Sequence, residues 1–140
     1  MQSPNLEDLS HVLIEFYEKM SSWEAAVVRE QKITLPQVHA VEILGCAGGL
    51  RMKELASRMG ITTGTLTVMI DRLEDKGLVE RQRSKEDRRV ILCHLTPAGE
   101  VVFNDHHKHH AALTEELAAD LSDEEVTALS SMLRKMLERF

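Results

Sequence analysis

The sequence lacks the marks of several common protein classes. Its two cysteines, Cys46 and Cys93, lie far apart and outside any CxxC pair, so neither a disulfide framework nor a zinc ribbon is expected, and both are predicted to be buried thiols. There is no run of roughly 18 apolar residues to span a bilayer, and the N-terminus carries acids where a signal peptide would be basic. We therefore expect a cytoplasmic protein without a membrane partner.

Motifs of common enzyme classes are missing too. The chain has no HExxH zinc motif, no glycine-rich phosphate loop and no nucleophile motif. The chain is therefore predicted not to be an enzyme and to require no cofactor. The enzymatic alternative is a catalytic zinc site formed by His39, His106 and His110, with Glu42 as the base.

Charge is divided unevenly along the 140 residues, which are enough for one domain with a hydrophobic core. Residues 51–89 hold 10 of the 17 basic and 7 of the 23 acidic residues, a local balance of +3, although the net charge of the chain is -6. A basic segment between acidic flanks can still meet phosphates. The alternative is a solvated face of mixed charge.

Two helices are predicted before the basic segment. Apolar residues recur every three or four positions from about residue 5 to residue 31, the period of an amphipathic helix. Thr34 with Gln37 forms a capping-box arrangement, and Pro36 is tolerated in the first turn, so a second helix begins here. It ends at the two glycines of "CAGGL", which remove helix propensity.

The segment "LASRMGITTGTLTVMIDRL" predicts two helices joined by a tight turn. Gly60 stands where a helix end needs the left-handed conformation, and Thr62 or Thr63 can cap the next helix. The arrangement predicts a helix-turn-helix, with a plain helical hairpin as the alternative. The apolar face of the next helix comprises Leu66, Ile70 and Leu73.

Two short strands and two further helices complete the predicted chain. "LVERQR" and "VILCHL" flank the charged "SKEDRR", which indicates a β hairpin and, after a helix-turn-helix, the wing of a winged helix. Thr96 caps and Pro97 opens a long helix to about Ala119, and Ser122 with Glu125 forms a capping box for the last one. The last helix carries an apolar stripe: Val126, Leu129, Met132, Leu133, Met136, Leu137 and Phe140.

The order of these elements, together with "DRRVILCHLTPAG", resembles the multiple-antibiotic-resistance regulator (MarR) family of bacterial winged-helix transcription factors. The matching positions are Asp87, Arg89, Leu95, Thr96 and Gly99. The fold class implied is mainly α with a small β wing, in a single domain over residues 1–140. Residues 34–95 would form the DNA-binding lobe, and residues 5–31 and 97–140 the helices of a homodimer. The function implied is a repressor of transcription that binds a pseudo-palindromic operator.

Candidate DNA contacts lie on the wing and on the second helix of the helix-turn-helix, which is the recognition helix of such motifs. Threonine hydroxyls and methyls can contact phosphates or base edges, and glycine permits a close approach. By resemblance, a wing arginine enters the minor groove; Arg88 and Arg89 are the candidates, with Asp87 orienting one of them. Arg83, Ser84 and Lys85 are predicted to contact phosphates. On the recognition helix the candidates are Thr62, Thr63, Gly64, Thr65, Thr67, Val68 and Arg72, the last of which has Asp71 or Asp75 as an alternative ion-pair partner.

The segment "NDHHKHHAAL" contains four of the seven histidines of the chain. His106 and His110 lie one helical turn apart, a spacing that can bind a metal, and His39, or else Glu24, can supply a further ligand. The zinc-responsive branch of the MarR family has a similar histidine pattern, and so does a branch that regulates fatty-acid synthesis and senses acyl groups. The effector is therefore open between zinc and an apolar or acyl ligand, and structural histidines are a further alternative. A winged helix used only for protein contacts is the remaining alternative function.

Overall fold

The computed structural model of the protein describes residues 4–140 as six helices and three strands. By contacts the chain divides into two compact units, one up to Asn104 and the other Asp105–Phe140. None of the described helices is long and apolar enough to cross a membrane. The elements are α1 (Pro4–Glu30), α2 (Leu35–Ala47), β1 (Leu50–Arg51), α3 (Met52–Met59), α4 (Thr63–Asp75), β2 (Val79–Arg83), β3 (Ile91–Leu95), α5 (Pro97–Leu117) and α6 (Asp123–Leu137).

Helix ends follow the local signals in the sequence. The Thr34 hydroxyl accepts from the Gln37 amide at 3.3 Å while the Gln37 side chain accepts from the Thr34 amide at 3.1 Å, so the predicted capping box forms. Gly60 ends α3 in the left-handed conformation, with φ 67°. Of the two predicted caps of α4, Thr62 takes the role, accepting from the Thr65 amide at 3.1 Å.

The wing belongs to an antiparallel sheet of three strands in the order β1-β3-β2. Val79 pairs with Leu95 at one end of the hairpin and Arg83 with Ile91 at the other. The edge strand β1 was not predicted, because two residues carry no alternation that a pattern could reveal. It forms because Leu50 pairs with Cys93, 43 positions along the chain.

A hydrophobic core fills the first unit and fixes α4 against its neighbours. Leu55, Leu66, Ile70 and Leu73 are fully buried there. Cys93 is buried as predicted, whereas the prediction for Cys46 is wrong: it is exposed, in the last turn of α2 and off the face that the helix turns to the core. The fold class predicted from the sequence, a winged helix with added helices, is confirmed.

Candidate nucleic-acid interface and effector groove

Helix α4 has one buried and one exposed face. Leu66, Ile70 and Leu73 lie in the core at 0% exposure, while Val68 on the opposite side is 53% exposed. Thr65 and Arg72, three residues before and four after Val68, are exposed on the same side. Burial of one face in the core therefore leaves a strip on the opposite side of the helix exposed to solvent, as the periodicity predicts. This strip carries both polar and apolar side chains.

Hydroxyl groups at the start of α4 are oriented by hydrogen bonds within the helix. Thr62 Oγ1 accepts from the Thr65 amide and donates its proton to Thr65 Oγ1 at 3.0 Å, which leaves Thr65 to donate its own proton outward. Thr67 instead donates to the Thr63 carbonyl at 2.8 Å. A Cβ added to Gly64 would meet only Thr62 Oγ1, at 3.9 Å, so packing within the chain does not require glycine there.

Ser84 builds the turn at the tip of the wing. Its hydroxyl accepts from the amides of Glu86 at 3.2 Å and Asp87 at 3.4 Å. Arg83 Nη1 donates to the Arg88 carbonyl at 3.0 Å and closes the turn from the other side. These contacts hold the tip in one conformation, from which the side chains of Lys85 and Arg88 are exposed.

Arg89 is exposed and yet held in place. Its side chain is 92% accessible, and its Nε and Nη2 donate to the two carboxylate oxygens of Asp87 at 3.2 and 3.3 Å. The Arg89 amide donates to the same carboxylate at 3.0 Å. These hydrogen bonds lower the pKa of Asp87 below its ordinary value, so the carboxylate stays charged beside the guanidinium. Asp87 thus orients Arg89, one of the two arginines proposed from the sequence.

Two other cations of the basic segment hold the lobe together. Lys76 Nζ donates to Gln37 Oε1 at 2.9 Å and to the Lys32 carbonyl at 3.2 Å, which ties the end of α4 to the start of α2. Arg81 donates to Asp71 and to Glu74 of α4. Asp71 is therefore the partner of Arg81 and not of Arg72.

Sequence reasoning missed the role of Arg81, although a signal was present. Side chains two apart on a strand share a face, so Arg81 points to the same side as buried Val79. That side carries the acids of α4, seven and ten positions earlier in the chain. A basic residue on the core-facing side of a strand, following a helix with unpaired acids, is the pattern to look for.

Thr96 and Gly99, two further positions of the MarR family motif, connect the wing to the start of α5. Thr96 donates to the Gly77 carbonyl at 2.6 Å and accepts from the Gly99 amide at 3.0 Å. A Cβ on Gly99 would overlap the carbonyl oxygen of Leu78, so only glycine fits. These residues therefore support the wing and do not belong to its exposed surface.

The first unit contains a groove of about 470 Å³ beside the recognition helix. Two of the predicted metal ligands line it: Glu24 of α1 and the exposed His39 in the second turn of α2. Part of its apolar lining comes from the helix-turn-helix: Met59, Ile61 and Met69. Leu35 and Pro36 at the start of α2 supply another part. A ligand in this groove would touch both helices of the motif and the turn between them.

In the second unit, His106 and His110 of α5 adjoin each other. Their Nε2 atoms are 3.0 Å apart, with ring centroids at 4.7 Å and ring planes at 73°. Two imidazoles on one tetrahedral zinc, at about 2.0–2.1 Å each, place their nitrogens roughly 3.3 Å apart, so the pair fits two zinc ligands with little movement. His106 is 1% exposed, whereas His107 and His109 are exposed.

Comparisons with known proteins agree with this geometry. The model of the MarR family matches residues 33–91. The multiple antibiotic resistance protein MarR of Salmonella typhimurium is 35% identical over 106 residues, covering 75% of this chain and 74% of that protein. The HTH-type transcriptional repressor MdtR of Bacillus subtilis is 27% identical over 133 residues, 95% of this chain and 86% of its own. The crystal structure of Streptococcus pneumoniae FabT in complex with DNA has a TM-score of 0.84 at 26% identity and covers 95% of both chains.

Proposed function

We propose that the chain, which belongs to the MarR family of transcription regulators and not to an enzyme family, is a homodimeric repressor. Its binding to a pseudo-palindromic operator is controlled by a small effector. The observation that carries this proposal is the exposed strip of α4 beside an ordered, arginine-bearing wing. Similarity to a named repressor and to a protein solved with DNA supports it.

Helix α4 is proposed to enter the major groove with its exposed strip. Thr65 donates to a phosphate oxygen or a base acceptor, the Val68 methyls contact a thymine methyl, and Arg72 reaches a guanine edge or a phosphate. Gly64 has no packing role in the chain, and its missing side chain lets the helix approach the groove closely. Thr62 and Thr63 lie at the N-terminal end of the helix, where amides and hydroxyls favour a phosphate.

The wing is proposed to reach the adjacent minor groove with Arg89. An arginine that Asp87 already holds extended loses less freedom on binding, and narrow minor grooves attract cations. Lys85, Arg83 and Arg88 then contact flanking phosphates from the tip. Affinity should therefore fall steeply as salt rises.

A second copy of the chain is proposed to cover the apolar stripes of the long helices. The structure buries no residue of α6, and Leu129, Leu133 and Met136 are 45%, 42% and 38% exposed. The first helix is similar, with Leu9 at 42% and Phe16 at 52%. Burying such stripes against an identical copy produces a twofold dimer. Two recognition helices then meet half-sites roughly 34 Å, or about 10 base pairs, apart.

Two candidate effectors remain, each supported by its own observation. The groove beside α4 has an apolar lining from both helices of the motif, so an acyl chain bound there would shift α4 directly. The His106 and His110 pair supports zinc, which needs both Nε2 lone pairs and therefore displaces the proton between them. Dodecanoate and zinc ions, each added to the protein–DNA complex, distinguish the two by which one changes the affinity.

Binding of a selected duplex tests the DNA-binding proposal. A sequence enriched by the wild-type dimer from random DNA serves as the probe in fluorescence anisotropy. Arg89→Ala should weaken binding of the protein to this duplex by about 2 kcal/mol, roughly thirtyfold, because the arginine in the minor groove is lost. Arg29→Ala, which removes an equal charge from the end of α1, is the matched control. Unchanged affinity of a folded, dimeric Arg89→Ala variant would contradict the assignment.

A further inference from the structure

One guanidinium joins the wing to the recognition helix. Arg81 on β2 donates from Nη1 to Glu74 Oε2 and from Nη2 to Asp71 Oδ1, both at 2.8 Å. Its side chain is 26% exposed, whereas those of Glu74 and Asp71 are 33% and 58% exposed. The arginine is thus the inner member of the cluster, reached by solvent through the acids around it.

The chemistry of this contact requires arginine. Asp71 and Glu74 lie three apart on α4, so their carboxylates stand on neighbouring turns of one face. The planar guanidinium offers two separate nitrogens in a fixed fork and can bond both at once, while a lysine ammonium acts as a single point. Such a fork fixes the rotation of α4 as well as its distance from β2.

The two elements that it joins are the two proposed to read DNA. Recognition requires the strip around Val68 and the tip around Arg89 to reach different grooves of one duplex at the same time. A change in the angle between α4 and the hairpin would leave one of them short of its groove. Asp71 also lies next to Arg72, where an unneutralised carboxylate would repel phosphates.

We propose that Arg81 is a positioning residue for operator specificity, which fixes the recognition helix and the wing in one relative orientation and neutralises the acids of the helix without touching DNA. This inference rests on the proposed function. It differs from a stability role, because it acts on the affinity of the folded dimer. It differs from a phosphate contact, because loss of the fork with the charge kept, as in Arg81→Lys, weakens binding of the selected duplex and not of DNA in general.

Arg81→Lys is the main test, since it keeps the charge and removes the fork. Affinity for the selected duplex should fall about tenfold, a coupling of ordinary size for a shared network. Affinity for a scrambled duplex of the same length and the slope of affinity against salt should both stay as in wild type. Circular dichroism and sedimentation confirm that the compared proteins are folded dimers.

A double-mutant cycle supplies a second test that does not depend on lysine. Arg81→Met should lose about tenfold in the wild-type background and less than about twofold when Asp71→Asn and Glu74→Gln are already present, because the fork then has no carboxylates to bond. Arg29→Met, which removes the same charge elsewhere, should change the affinity little in either background.

The results separate the inference from the function on which it rests. Enrichment of a sequence by wild type and its loss in Arg89→Ala establish DNA binding independently of Arg81. Equal losses on selected and scrambled duplexes with Arg81→Lys, or a salt slope lower by about one with Arg81→Met, would make Arg81 a phosphate contact and overturn the inference. A full tenfold loss in the background without the acids, or no loss with Arg81→Lys, would overturn it as well.

Discussion

Helices α4 and α6 carry apolar stripes of the same helical period, and they differ in what covers them. Leu66, Ile70 and Leu73 of α4 have no exposed surface, whereas Leu129 and Leu133 of α6 are exposed to more than 40%. The first stripe is covered by α2, α3 and the sheet of its own unit. The second has no cover within the residues that the structure describes.

The difference shows how one chain can divide its apolar residues between two tasks. Where its own core covers the stripe, the opposite face of the helix is fixed in space and can meet a rigid partner such as DNA. Where a helix keeps its stripe exposed over about three turns, the stripe itself is the proposed contact surface. We therefore propose that the same periodicity serves recognition in α4 and association in α6.

The largest expected effect breaks the association element. Leu129→Asp with Leu133→Asp places two unpaired charges in the proposed dimer contact, each of which costs several kcal/mol to bury. The dimer dissociation constant should rise more than about a thousandfold, measured by analytical ultracentrifugation. Ser131→Asp, on the opposite side of α6, should leave the dimer intact. A double variant that stays dimeric would show that α6 is not the contact.

The two faces of α4 should respond in opposite ways. Ile70→Ala creates a cavity in the core and should lower the free energy of unfolding by about 2–5 kcal/mol in urea, at fixed protomer concentration. Val68→Ala removes exposed methyls and should change that free energy by less than about 0.5 kcal/mol, yet weaken operator binding several-fold. Equal stability losses at the two positions would contradict the two-faced description of α4.

A third prediction concerns the buried residue of the second unit. Among residues 105–140 only His106 is buried, where the first unit buries leucines and valines. If zinc is the effector, it should change the operator affinity of the metal-stripped dimer about tenfold, or 1.4 kcal/mol of coupling, and His106→Ala should abolish the response. His109→Ala, at an exposed position of the same helix, should retain the response. A response that survives His106→Ala would assign zinc to other ligands.

The smallest expected effect concerns pH at the wing. Hydrogen bonds from Arg89 lower the pKa of Asp87, so the stabilisation that this pair contributes is present above the ordinary carboxylate pKa and is lost as pH falls through the lowered value. Carboxyl ¹³C shifts should therefore show Asp87 titrating below the ordinary range of an aspartate. Arg89→Ala should return it to the ordinary range. An ordinary titration in wild type would mean that the pair does not persist in solution.

Features that depend on residues close together in the chain were predicted well from the sequence. The capping pair Thr34 and Gln37 is three residues apart, and the left-handed Gly60 answers a local steric requirement, so both were confirmed. The buried face of α4 follows from period alone. The family resemblance, confirmed by the comparisons, supplied the regulatory function.

Contacts between distant segments were harder to predict. Strand β1 exists only because β3 lies beside it, and the Arg81 fork requires knowledge of which side of β2 faces α4. The exposure of Cys46 depends on where α2 meets the core. The individual DNA contacts and the effector ligands stay predictions, since each concerns a partner outside the chain.

Hydroxyl-radical footprinting of the wild-type dimer on its selected duplex tests the central claim most directly. Two recognition helices and two wings on a twofold axis predict symmetric protection in two half-sites whose centres lie about 10 base pairs apart, with outer minor-groove protection that disappears in Arg89→Ala. A single unsymmetrical footprint, or protection that Arg89→Ala leaves unchanged, would contradict the account.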